Sequence, residues 1–314
     1  MYDLIGDIHG HAKALERLLA KLGYKQSDGV WHHSYRKVIF VGDYIDRGPQ
    51  IRKVLQIVKR MSDSGNAIAL MGNHEYNALA YVFETDEGKY LRSHNHKHEV
   101  QHRATLEQFS KHPEEWSEYL QWFYSLRLFL DTGELRAVHA CWDDSHIQRL
   151  KTWGVETMNP DLLLKSHDPS ASEYRIVNDI LKGKEFNIPE QYAWYDKDGN
   201  VRTQNRIKWW MEPNNALYHE FLFDCPEELK EQMVSSHVDA LVYPAEAPPV
   251  FVGHYWLRDS YPVIQSHNVV CLDYSIAKGG YLVAYRWDGE ATLDSSHFVS
   301  VKYSEEGSVE DFGD

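Results

Sequence analysis

Gly6-Asp7-Ile8-His9-Gly10, Gly42-Asp43-Tyr44-Ile45-Asp46-Arg47-Gly48 and Gly72-Asn73-His74-Glu75 are the three stretches whose reading decides the fold. Each follows a short apolar run: Leu4-Ile5, then Val38 to Val41, then Ala67 to Met71. Such runs, rich in β-branched residues and bounded by Gly, Asp or Asn, read as buried strands. Between them Leu15, Leu18, Leu19 and Leu22 recur on one helical face, as do Val54, Leu55, Val58 and Met61. The first third of the chain therefore predicts a βαβαβ order in an α/β fold. Its polar, chemistry-bearing residues fall just beyond the strands, where open α/β sheets bind their ligands.

Further strands are predicted at Leu135 to Val138, Val250 to Val252, Val269 to Leu272 and Tyr281 to Tyr285. Two of them end on a histidine, in Val138-His139-Ala140 and Val252-Gly253-His254, which brings two more nitrogen donors to the same edge. At 314 residues the whole chain, 1–314, reads as one domain carrying two insertions. The first, about 76–133, has helical periodicity, with an apolar stripe of Trp116, Leu120, Phe123 and Tyr124. The second, about 144–236, is rich in aromatics, among them Tyr192, Trp194, Tyr195, Trp209 and Trp210, and has turn signals at Asn159-Pro160 and Asp198-Gly199. It reads as a cap or substrate-side element whose aromatics form a small core of their own. His94, His96, His98 and His102 read as part of a solvated polar segment rather than an accessory metal site, because no carboxylates or partner histidines accompany them. The acidic tail after Ser304, with Glu305, Glu306, Glu310, Asp311 and Asp314, is expected to fray.

Composition narrows the functions. A formal charge of −14 without a long Lys/Arg run argues against long nucleic acids as partners. Cys141, Cys225 and Cys271 are scattered and form no CxxC pair, so a disulfide framework is not expected and a reducing compartment fits. With no apolar leader ahead of Asp3 and no run of membrane-spanning length, a cytoplasmic protein with no membrane partner is the expectation.

Carboxylates, imidazoles and an amide oxygen together suit borderline to hard divalent ions such as manganese, iron or zinc. An Asp shared by two ions can hold them about 3.5–4 Å apart, the spacing used for phosphoester displacement; Asp43 is the natural bridge.

The three signatures, in this order and spacing, resemble the phosphoprotein-phosphatase type of calcineurin-like metallophosphoesterase, a signature set that bacterial diadenosine tetraphosphate hydrolases share. The resemblance covers roughly residues 3–82, 134–142 and 249–286. It implies two mixed β-sheets packed face to face and flanked by helices. It further implies one divalent ion on Asp7, His9 and Asp43, and a second on Asp43, Asn73, His139 and His254, with manganese expected and iron or zinc as alternatives. His74 paired with Asp46 is then the proton donor to the leaving group, and Arg47 holds a phosphate oxygen.

Cys271-Leu272-Asp273-Tyr274 and Gly279-Gly280-Tyr281-Leu282 resemble the closing strands of the family. The sequence departs from it at Ala140-Cys141 and at Tyr255. A second phosphate-binding arginine does not align, and Arg202 and Arg206 are the substitutes on offer.

The implied activity is hydrolysis of a phosphate ester by a metal-bridging hydroxide. The substrate would be a phosphorylated protein side chain, a nucleotide or a small ester. One alternative is a dinucleoside tetraphosphate hydrolase. The non-enzyme alternative is a catalytically silent regulatory scaffold, whose mark would be loss of a metal ligand or of His74; none is lost.

Overall fold

The computed structural model describes residues 1–188, 192–195, 201–234 and 242–304. The acidic tail and the Asp198-Gly199 turn lie outside the described residues, as do the side chains of Trp194, Tyr195 and Arg202.

Two mixed sheets form the centre. In the larger, Tyr2–Ile5 lies between Lys37–Phe40, to which it is parallel, and Tyr281–Trp287, to which it is antiparallel. Ala67–Ala69 extends one side in parallel, while Asp273–Tyr274 and Phe298–Lys302 both pair with Tyr281–Trp287. The smaller sheet orders Val269–Cys271, Val250–Val252, Arg136–Val138 and Phe129–Asp131, the last pair antiparallel.

Strand alternation explains how they stack. Leu4, Ile39 and Val283 on one face of the larger sheet share a buried apolar cluster with Leu130, Ala137, Phe251 and Val270 of the smaller one. Residues one step along each strand point outward instead: Ile5, Val38 and Phe40 belong to a second cluster with Leu15, Leu18 and Leu19 of helix Ala12–Lys21 and Val54, Leu55 and Val58 of helix Ile51–Asp63. The result is a face-to-face pair of mixed sheets flanked by helices, as the resemblance implied.

The stretch after the third motif holds helices Asn73–Val82, His96–Phe109 and Pro113–Phe123. It returns to the smaller sheet at Phe129–Asp131, a strand too short and too close to helical sequence to read from periodicity. Helix His96–Phe109 starts at Asn95, whose side chain accepts the His98 N–H at 3.0 Å. Its buried residues, His102, Thr105 and Phe109, follow the i, i+3, i+7 spacing of a single face. The expectation of a solvated histidine segment is therefore corrected at His102 alone, since His94 stays exposed although its ring is stacked. His102 is buried, and His94 stacks between Tyr81 and Tyr90 with ring centroids 3.9 and 4.1 Å away.

Trp209 and Trp210 of the second insertion are buried, as a small aromatic core requires. The Trp209 indole N–H and the Tyr255 hydroxyl both donate to the Ala140 carbonyl at 3.1 Å, which fastens the insertion beside His139. Among the described residues no helix is long and apolar enough to cross a membrane.

Candidate metal centre

The loops that leave Tyr2–Ile5, Lys37–Phe40, Ala67–Ala69, Arg136–Val138 and Val250–Val252 converge on one edge. They do so with unusual backbones: His9, Asp43, Asp46, Arg47 and His254 have φ of 44, 55, 66, 66 and 75°. Non-glycine residues in this left-handed region are uncommon and cluster where a site over-determines the backbone. Gly42, at φ +109°, allows the crowding, since a Cβ there would lie 2.5 Å from the Gly72 nitrogen and 2.9 Å from His139 Nδ1.

Asp43 is the hub. His9, Asp43 and His74 offer donor atoms all within 4.8 Å of one another, and so do Asp43, His139 and His254. Its Oδ1 accepts the His74 backbone N–H at 3.0 Å, at the start of helix Asn73–Val82, and lies 3.4 Å from His139 Nε2. Its Oδ2 lies 3.6 Å from His9 Nε2 and 3.9 Å from His74 Nε2. Asn73 Oδ1 sits 3.0 Å from His139 Nε2 and 2.7 Å from His254 Nδ1. Asp7 belongs to neither three-residue set but adjoins them, with Oδ2 accepting the His254 N–H at 3.0 Å.

The ring orientations are set from behind. His9 Nδ1 is 3.0 Å from the Ile45 carbonyl and His139 Nδ1 is 2.8 Å from the Val41 carbonyl, so their Nε2 atoms face the centre. Asp7 Oδ1, His9 Nε2 and His254 Nε2 are buried and have no hydrogen-bond partner. Orphaned buried acceptors are costly. His9 Nε2 faces Asp43 Oδ2 at 3.6 Å, where a divalent ion would satisfy it, and the O/N donor set fits such an ion.

The charges agree. Burial pushes the Asp7 carboxyl up, and the neighbouring Asp273 and Asp43 carboxylates push it further. Burial, then the His74 charge, lowers His9 to about 3, so its imidazole stays neutral as a ligand must. Burial lowers His254 as well, and the next cause is the Arg206 guanidinium.

Beside the centre, His74 Nδ1 is 2.5 Å from Asp46 Oδ2. Burial disfavours the Asp46 carboxylate, but hydrogen bonds from His102 and His74 overcome it and hold the group well below the usual range. The Arg47 guanidinium carbon lies 4.2 Å from the Trp256 ring centroid, and Lys278 Nζ lies 3.9 Å from the same ring. No carboxylate forms an ion pair with Arg47 among the described residues, which leaves its fork of donors for a ligand.

Several residues here had no role in the sequence reading. Glu75, fully buried, accepts the backbone N–H groups of Gly72, Asp43, Tyr44 and Ile45 at 3.0, 2.9, 2.8 and 3.3 Å. Asp273 accepts from Trp256 N at 2.8 Å and Ser275 N at 3.0 Å. His102 and Thr105 both reach Asp46. Glu75 stood inside a quoted motif, and His102 and Thr105 were three apart on a helical face. Asp273 stood inside a stretch quoted only for its strand, and Trp256 left no comparable signal.

A family model for calcineurin-like phosphoesterase matches residues 2–218, and the chain belongs to that family. Among curated relatives, the chain is 45% identical over 73 residues to bis(5'-nucleosyl)-tetraphosphatase PrpE (asymmetrical) of Oceanobacillus iheyensis, covering 23% of this chain and 29% of the relative. It is 43% identical over 75 residues to the protein of the same name from Anoxybacillus flavithermus, covering 24% of this chain and 31% of the relative. The matches thus span about three-tenths of the length of these relatives. Among solved structures, a cold-active protein-tyrosine phosphatase of a psychrophilic Shewanella is similar at a TM-score of 0.44 and 19% identity, over 96% of this chain and 80% of that one.

Proposed function

We propose that this chain hydrolyses phosphate esters with two divalent ions, manganese being the expected pair. The observation that carries the reading is Asp43's membership of both donor sets, flanked by the orphaned atoms of Asp7, His9 and His254. Asp7, His9 and Asp43 would hold one ion, and Asp43, Asn73, His139 and His254 the other. Such a pair, when bound, supplies Lewis acidity and lowers the pKa of water.

The chain's own groups do the rest. Arg47, stacked on Trp256, takes two equatorial oxygens of the phosphoryl group in its planar fork and stabilises their charge as the transition state forms. Hydroxide, formed from water that has already released a proton to solvent, attacks phosphorus in line, and the bond from phosphorus to the leaving oxygen breaks. The leaving oxygen takes its proton from His74 Nε2, while Asp46 holds Nδ1 and favours the imidazolium. Burial disfavours that charge on His74, but Asp43 and Asp46 together raise its pKa above the ordinary value.

The substrate we read is a phosphorylated side chain or small phosphomonoester. A dinucleoside tetraphosphate is the second reading, favoured by the names of the relatives. Residues 1–314 act as one catalytic unit in this account, in the cytoplasm, which its three free cysteines suit. The test compares manganese-loaded protein on a phosphopeptide and on a dinucleoside tetraphosphate. Turnover of the phosphopeptide supports the ester reading and turnover of the dinucleoside tetraphosphate, a phosphoanhydride, supports the second; turnover of neither, nor of an aryl phosphate, rejects both in favour of a silent scaffold.

A further inference from the structure

The Asp46 carboxylate has more partners than the dyad requires. Its Oδ2 is given to His74 alone, at 2.5 Å. Its Oδ1 accepts from His102 Nδ1 at 2.7 Å and from the Thr105 hydroxyl at 2.5 Å. The same hydroxyl accepts the Asp46 backbone N–H at 3.0 Å, so Thr105 grips both the side chain and the left-handed backbone of Asp46. His102 and Thr105 are fully enclosed by the protein, three residues apart on the inner face of helix His96–Phe109.

We infer that His102 and Thr105, brought in by the helical insertion, are positioning residues that fix the Asp46 carboxylate so that one oxygen alone is left to orient His74. The inference rests on reading His74 as the proton donor to the leaving group. Three donors around one carboxylate, two on Oδ1 and one on Oδ2, hold it against rotation away from His74. Because His102 Nδ1 donates to Asp46, its Nε2 is left buried and without a partner, an unfavourable arrangement for a ring that only fills space. A leucine there would pack without that cost, so the imidazole N–H is the feature that matters. The chain packs it in place through Tyr81 and Trp116, whose rings lie 5.3 and 5.9 Å from that of His102.

A purely structural role and a positioning role differ in what they move. Donating hydrogen to the leaving oxygen matters most when that oxygen is a poor leaving group. In manganese-loaded protein, His102→Ala should lower kcat roughly 10–100-fold on an alkyl phosphate, the usual scale for removing an outer hydrogen-bonding partner. On p-nitrophenyl phosphate the loss should be smaller, with KM unchanged on both. His102→Asn, whose amide N–H stands where Nδ1–H does, and Thr105→Ser should restore most of the rate. An equal loss on both esters, or no loss on either, overturns the inference.

A second readout does not depend on activity. Proton NMR of protein with nitrogen-15 histidine should show a downfield His74 Nδ1–H, which moves upfield in His102→Ala and returns in His102→Asn. A His74 signal indifferent to His102 overturns the coupling even if no ester is turned over, whereas a responsive signal in an inactive protein refutes the proposed chemistry and leaves the positioning intact.

Discussion

Replacing Glu75 by Gln tests how the bridging aspartate is held. Glu75 is fully buried, and its two oxygens accept four backbone N–H groups, two on each. Gln keeps one oxygen and turns an NH2 toward two of those donors. A hydrogen bond to a charged acceptor contributes about 1.5–3 kcal/mol, so losing two costs about 3–6 kcal/mol. Burial, helped by the Asp43 charge, pushes the Glu75 carboxyl up to about 7, and relief of that repulsion in the variant offsets part of the loss. The lower end, about 3 kcal/mol, is therefore expected. Urea unfolding of metal-free protein at pH 8, where Glu75 is ionised, measures it. The same donors belong to Gly72, Asp43, Tyr44 and Ile45, so manganese affinity should fall with stability. A change under about 0.5 kcal/mol, the range of an ordinary surface substitution, would refute the claim that Glu75 holds this loop.

Other outcomes follow from the same geometry. A Cβ on Gly253 would lie 2.0 Å from Asp7 Oδ1, so Gly253→Ala should displace that carboxylate and lower the manganese bound per chain, read by metal analysis after dialysis. Arg47→Lys keeps the charge but loses the fork, and kcat/KM should drop on the order of 10²-fold while the melting temperature stays put, as steady-state kinetics and calorimetry will show. Asp46, held below the usual carboxylate range in the folded protein, adds stability that is complete above the unfolded value of about 3.9 and is lost as pH falls below it. Urea denaturation from pH 5 to pH 3 should therefore show a shallower loss in Asp46→Asn than in the wild type.

Much of this was legible in the sequence because the site sits on strand ends. The apolar runs before Asp7, Asp43, Asn73, His139 and His254 fix where each side chain emerges, and strand period alone assigns the faces that make the two clusters. What escaped lies in long-range pairing. His102 is 56 residues from Asp46, and nothing local distinguishes its imidazole from the exposed ones beside it. Its burial follows from how helix His96–Phe109 docks, which the Thr105 and Phe109 spacing only hinted at. Trp256 needed the same knowledge, since its value lies in reaching back to Arg47 from beyond His254.

The central claim is that Asp43 joins two ions. Electron paramagnetic resonance of metal-stripped protein titrated with manganese tests it most directly, alongside Asp43→Asn. The account predicts two manganese ions per chain with the spectrum of an exchange-coupled pair, and loss of that coupling in the variant. A single uncoupled manganese in the wild type, or coupling that survives in Asp43→Asn, would contradict it.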